Sequence, residues 1–353
     1  MEEKSTQTIP KYFAAANTYH GFLSLFDEVF SSSDYDRIYV LKGGPGTGKS
    51  SFMKKLSSYF QMKSCNVEEI YCSSDPNSLD GVIISLNNKK IAVLDGTAPH
   101  ERDAIIPGAI DEIINLGNGW DTRVLCAQRN EILSLVKEKG ESYKTAYNYL
   151  SIAGKAYDKI YNLHKKGFDI IKAKIKAESL LKDFSSEKSG MITRRLISSF
   201  GKHGSHRLDM LSVADFKKIE ISGNEISCRL FLDCCLYYLK EKSNNLIHLL
   251  CALDPSSTDG IILPDYRVFI TQGDSGEINA EEFISISPAD SERIRAAYRI
   301  HTEALDEARR WFVIASDLHF RLEEIYGRAM NFANNDDAFD KKTKEIENIL
   351  EII

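Results

Sequence analysis

No apolar run in this 353-residue chain approaches the roughly 20 residues that a membrane-crossing helix needs. The first residues, Met1-Glu2-Glu3-Lys4-Ser5, carry charge where a secretory leader carries an apolar stretch, so no signal peptide is expected. A basic excess is also missing. The 45 Lys and Arg face 51 Asp and Glu, for a net charge of −6, so nucleic acid is not indicated as a partner. There is no C-x-x-C pair among the seven cysteines, an odd number. Cys234 and Cys235 read as one buried helix face, and all seven as reduced thiols, which predicts a cytoplasmic location.

What the chain has is an octet at 43–50: Gly43-Gly44-Pro45-Gly46-Thr47-Gly48-Lys49-Ser50. It fits G-x-x-x-x-G-K-[ST], the phosphate-binding P-loop. Glycines here let the backbone turn left-handed and approach a phosphate. Their N–H groups and the start of the next helix form an anion cradle, continued by Ser51. Lys49 supplies a point charge for the β- and γ-phosphates, and the Ser50 hydroxyl a ligand for Mg²⁺. The flanks suit the motif. Arg37–Lys42 is a short β-branched apolar run that reads as a buried strand. Phe52, Met53, Leu56 and Phe60 recur at helical spacing.

A second element follows. Lys90–Asp95 reads as an apolar strand ending in a carboxylate, the Walker B pattern, which places Asp95 at the carboxyl edge of the sheet as a Mg²⁺ ligand with Ser50. Many ATPases carry a Glu directly after this Asp to polarise the attacking water; here Gly96 follows. Glu101 and Asp75, with His100 behind them, are the nearest candidate bases, each also readable as a turn or surface residue. The catalytic set expected is Lys49, Asp95 and Glu101. No Asn-Lys-x-Asp and no D-x-x-G accompany the loop, which favours ATP over GTP.

The chain also repeats itself. Residues 70–84 and 249–263 share Cys72/Cys251, Asp75/Asp254 and Asp80-Gly81/Asp259-Gly260. Extended with small gaps, strand 37–42 falls on 217–222, Gly43 on Gly223, Lys49 on Arg229, Ser50 on Leu230 and Asp95 on Gln272. Lys11–Gly21 falls on Arg194–Gly204. The second copy has lost its lysine and both metal-binding groups together, so one nucleotide site is expected, in the first half. Asp75 and Pro76 keep partners in a half without a P-loop and read as a helix N-cap and first turn, with Gly81 as a turn. Division falls at 185/186, giving halves 1–185 and 186–353. Helical spacing dominates 127–182 and 290–332, read as helical hairpins, and the amphipathic tail 336–353 is expected to dock on the body or on a second subunit. Lysines 155–182 read as a solvated face. His203 and His206 have no neighbouring ligand cluster. Arg102 and Arg229, weak arginine-finger candidates, read as surface residues.

With Phe13-Ala-Ala-Ala-Asn-Thr18, Gly21-Phe22, the octet 43–50, Cys72–Gly81 and Leu94-Asp-Gly-Thr-Ala-Pro-His100, the chain resembles, over essentially its whole length, an uncharacterised bacterial family of duplicated P-loop ATPases. The second half of that family often keeps its own P-loop; this chain departs there. The resemblance implies an α/β P-loop NTPase fold, internally duplicated, with ATP and Mg²⁺ as cofactors and no stated substrate. The expected function is a Mg²⁺-dependent ATPase. A kinase with an acceptor pocket at Asp75, Thr97, His100 and Arg102 is the first alternative, and a nucleotide-dependent module for an unknown protein or small-molecule partner is the second.

Overall fold

The computed structural model describes residues 9–184, 190–210, 213–242, 245–274, 276 and 278–352. The expected division at 185/186 lies outside them. In chain order the first half runs β1 (Lys11–Phe13), β2 (Ala15–Thr18), β3 (Gly21–Ser24), α1 (Phe26–Val29), β4 (Arg37–Lys42), α2 (Lys49–Met62), β5 (Asn66–Tyr71), β6 (Leu79–Leu86), β7 (Lys89–Asp95), β8 (Asp111–Asn115), α3 (Thr122–Ala127), α4 (Arg129–Gly167) and α5 (Ile170–Leu181). The second runs β9 (Ile192–Leu196), β10 (Ser198–Gly201), β11 (Gly204–Arg207), β12 (Lys217–Ser222), α6 (Glu225–Glu241), β13 (Leu246–Leu250), β14 (Thr258–Leu263), β15 (Val268–Gln272), β16 (Ile278–Asn279), α7 (Pro288–Arg328) and α8 (Ala333–Ile349).

This is a mixed α/β architecture on one 12-stranded sheet of order β16-β12-β15-β14-β13-β9-β1-β5-β6-β7-β4-β8. Read outward from its centre, the order is β1-β5-β6-β7-β4-β8 on one side and β9-β13-β14-β15-β12-β16 on the other. The two arms meet where β1 and β9 pair antiparallel, Phe13 opposite Leu196. Two small hairpins, β2–β3 and β10–β11, follow the central strands at corresponding places. Strand β4 is buried along Ile38–Leu41 because parallel neighbours flank it on both sides, and such strands read as continuous apolar runs.

The long helices do not form a hairpin within either half. Leu135 of α4 packs with Leu318 and Leu322 of α7, Leu150 with Phe312, and Ile160 with Ile294, so α4 and α7 run antiparallel as a two-helix rod. The buried α7 positions recur at steps of three, four and seven, the spacing of a coiled-coil seam. Gly154 of α4 allows close approach: a Cβ there would lie 2.6 Å from Cβ of Tyr19. α5 instead packs its Ala173, Ala177 and Leu181 against Phe231 and Cys235 of α6. The tail docks on the body: Ile346 and Leu350 are buried with Leu56, Phe60 and Ile84.

Two local readings change. Residues 75–78 are a turn, not a helix start: the Asp75 carboxylate accepts from the Asn77 N–H at 3.2 Å, and β6 begins at once. Asp254 does the same with the Ser256 N–H. Asp-Pro satisfies a turn as well as a helix N-terminus, and the short connection decides it. Gly81 lies inside β6, where a Cβ would come within 2.5 Å of the Phe30 ring.

In the second half, buried His248 (β13) shares a 3.0 Å hydrogen bond with Thr258, whose hydroxyl donates to Asp233 of α6 at 2.6 Å. Burial, with Lys240 and Arg194 adding to it, pushes the imidazole down to about 4. Between the ordinary 6.5 and about 4 the unfolded chain binds a proton that folded His248 refuses. This contribution is complete above that window and is lost as pH falls through it, by about 2 kcal/mol at about pH 5. Burial pushes Asp233 up to about 6, which acts in the opposite sense. The His248 part is isolated by comparison with His248→Gln: urea midpoints measured at neutral and mildly acidic pH should fall less in the variant. Equal falls would show that His248 titrates normally.

Candidate functional site

The octet forms the turn between β4 and α2 that its sequence predicts. Gly46 (φ +67°) and Gly48 (φ +83°) are left-handed, conformations costly for residues with a Cβ. Gly48 caps α2, so the helix N-terminus opens onto the loop. Lys49 Nζ lies over the loop, donating to the carbonyls of Gly43 (2.8 Å) and Gly44 (3.0 Å). The Thr47 hydroxyl closes the turn on the Gly44 carbonyl. The Ser50 hydroxyl accepts from the Leu79 N–H at 2.9 Å.

Asp95 ends β7, beside Leu41 of parallel β4. Its Oδ2 lies 3.6 Å from Lys49 Nζ, while Oδ1 accepts from the N–H and hydroxyl of Thr97. Thr97 thus fixes the carboxylate and leaves one oxygen facing the loop. The structure therefore brings together Lys49, Ser50, Asp95 and the glycines. Glu101, the expected base, is exposed.

Two residues that the sequence left in minor roles stand there instead. Register places Asp80 beside Asp95, because Gly81 of antiparallel β6 pairs with Leu94. Asp80 is buried, and that burial, followed by the Asp95 charge, pushes its carboxyl up to about 8. His100 is also buried, its ring 4.2 Å from that of Phe26. Its Nε2 points at Asp80 Oδ2 from 3.7 Å, and neither ring nitrogen has a hydrogen-bond partner. Burial pushes this imidazole down, against the pull of Asp95, so it stands neutral.

No family model, no curated protein and no solved structure matches this chain.

The second half is filled where the first is open. Gly223, which follows β12 as Gly43 follows β4, is also left-handed (φ +128°). Beyond it, a Glu281 carboxylate oxygen accepts from the backbone N–H and side-chain amide of Asn224 and from the Ser227 hydroxyl. A side-chain carboxylate thus already holds the helix N-terminus. Arg229, in the position of Lys49, is buried and donates to Tyr157 Oη (2.9 Å) and Asp259 (3.1 Å). Arg102 is buried too, on the Phe30 carbonyl, Ser32 and Asp111. Neither arginine is a surface residue, because each meets a carboxylate of low exposure, Asp111 for Arg102 and Asp259 for Arg229.

The far end of the chain seats against the loop. A Cβ on Gly46 would lie 2.6 Å from the Glu323 carbonyl of α7. Asn335 of α8 donates to the Thr47 carbonyl at 2.8 Å. Beside these contacts a cleft opens between Gly48, Ser51, Phe52 and Lys55 on one side and Phe332, Asn335, Asp336 and Phe339 on the other. No signal in the sequence linked residues 323–339 to the octet.

Proposed function

We propose that this chain is an ATP-binding P-loop protein, a Mg²⁺-dependent ATPase with one nucleotide site, built on two copies of one α/β unit. The observation that carries this reading is the convergence of Lys49, Ser50 and Asp95 on a left-handed glycine turn at the start of α2. The same order of strands in the two arms of the sheet supports the duplication.

The chemistry follows from the residues. The α2 N-terminus and loop N–H groups receive phosphate oxygens. Lys49 exchanges its carbonyl partners for the β- and γ-phosphates. The Ser50 hydroxyl and the Asp95 carboxylate offer hard oxygen donors that suit Mg²⁺. That ion supplies neutralisation of charge on the transferring phosphoryl group. The cleft shares Gly48 and Ser51 with the cradle, so a nucleotide whose phosphates lie on the loop directs its base toward Phe332 and Phe339. The seating of α7 and α8 on the loop favours a second reading, a nucleotide-dependent interaction module, since a bound phosphate bears directly on the Asn335 and Glu323 contacts.

Phosphate release from Mg²⁺-ATP by the purified chain, with no partner added, tests the first reading; steady release is expected. Binding of Mg²⁺-ATP without release would leave the second reading standing. Absence of both would remove nucleotide from the account.

A further inference from the structure

We propose that Asp80, Asp95 and His100 form a protein-built binding site for a divalent transition-metal ion of the Mn²⁺ or Zn²⁺ class, which fills without nucleotide. The site goes beyond the ATPase reading, which uses Asp95 with Ser50 and needs neither Asp80 nor His100.

Geometry supports it first. One ligand atom from each of the three residues lies within 4.8 Å of the other two. Around a single cation with bonds of about 2.1 Å, ligand atoms stand about 3.0 to 4.2 Å apart. The 3.7 Å between His100 Nε2 and Asp80 Oδ2 falls in that range, and the other pairs lie within 4.8 Å.

The second support is the unmet demand of His100. Its residue exposure is 8%, yet both ring nitrogens lack hydrogen-bond partners. Burying an unpaired polar group costs on the order of 1–3 kcal/mol, and buried imidazoles nearly always find a donor or acceptor. Here Nε2 instead faces two carboxylates across a gap a hydrogen bond does not span.

Charge is the third. Lys49 is bound to Asp95, and among the described residues no Lys or Arg forms an ion pair with Asp80. A divalent ion answers both carboxylates. The second half makes the contrast: there Asp259, in the place of Asp80, meets the Arg229 guanidinium at 3.1 Å, and Gln272 replaces Asp95. Where the cluster is gone, an internal cation stands in its place.

The donor set selects the metal. Two carboxylate oxygens alone would suit Mg²⁺ or Ca²⁺; an imidazole nitrogen shifts preference to Mn²⁺, Fe²⁺ or Zn²⁺. Thr97 orients Asp95 from outside the cluster, as outer partners orient metal ligands.

The test is calorimetric titration of chelator-treated, nucleotide-free protein with Mn²⁺, Zn²⁺ and Mg²⁺. One Mn²⁺ or Zn²⁺ per chain is expected, at least about tenfold tighter than Mg²⁺. Asp80→Asn and His100→Gln should each weaken it by about tenfold or more. His203→Gln, which changes an exposed histidine, should not. Should either site variant fail to fold, Mn²⁺ broadening of the His100 ring NMR signals in the unaltered protein gives the same answer. Binding that survives both variants, Mg²⁺ bound as tightly, or sharp His100 signals at saturating Mn²⁺ would overturn the site. None of these outcomes bears on ATP binding, which is assayed separately.

Discussion

Lys49→Ala should lose nucleotide binding and turnover together while the chain still folds. The expected loss in phosphate release is on the order of 10²–10³-fold or more, the size seen when one preorganised charge or donor is removed from a reacting centre. In this structure the Nζ group is already held over the loop by two carbonyls and by Asp95, so its position costs the nucleotide little reorganisation. The fold has little stake in it, because the loop is closed independently by Thr47 and the glycines, and α2 is anchored by Phe52, Met53, Leu56 and Phe60. The measurement is phosphate release and nucleotide titration beside a thermal melt. Turnover at the parent rate in a cooperatively folded variant would remove Lys49 from the chemistry and the first functional reading with it.

The opposite pattern is expected at the corresponding position of the second half. Arg229→Ala should cost about 3–5 kcal/mol of stability, because it strands the Asp259 carboxylate, whose side chain is only 11% exposed, without its guanidinium. It also leaves Tyr157 Oη without its partner on α4. ATP affinity of the folded fraction should stay within about twofold, a difference below 0.5 kcal/mol. Replacing both partners, Arg229→Leu with Asp259→Asn, should recover part of the loss, since no buried charge is then left without its partner. Urea denaturation of the three variants decides it. A loss under about 1 kcal/mol for Arg229→Ala would mean that water reaches Asp259 and that the pair is not structural. The two lysine-position variants thus separate a residue kept for ligand chemistry from one absorbed into packing.

Local signals in the sequence were read correctly where backbone and periodicity decide alone. Strand 37–42 and the helix after it occur as expected because a β-branched run, a glycine turn and a 3.6-residue apolar stripe each restrict the chain within a few residues. The repeat places a strand at 217–222 for the same reason. Residues whose environment comes from distant segments were misread. Arg102 and Arg229 looked exposed because arginine usually is, and only their anionic partners make burial tolerable. His100 carried no local sign that it would face Asp80, since the loop that follows β7 carries it back to Asp80 on β6. Asp75 and Gly81 were given helix and turn roles that their residue types allow equally in a tight connection and a crowded strand. Nothing in residues 323–339 announced a P-loop neighbour, because that contact depends on how a 41-residue helix lies across the sheet.

The docking of α8 also has a consequence for synthesis. Ile346 and Leu350 complete the apolar cluster around Leu56, Phe60 and Ile84, so the first half of the chain is finished by residues about 280 positions downstream. A ribosome working from the N-terminus releases β4, α2 and β7 long before the segment that covers them exists. The nascent first half must therefore keep an uncovered apolar groove until residues 346–350 emerge, and a message truncated after α7 would yield a protein with that groove bare.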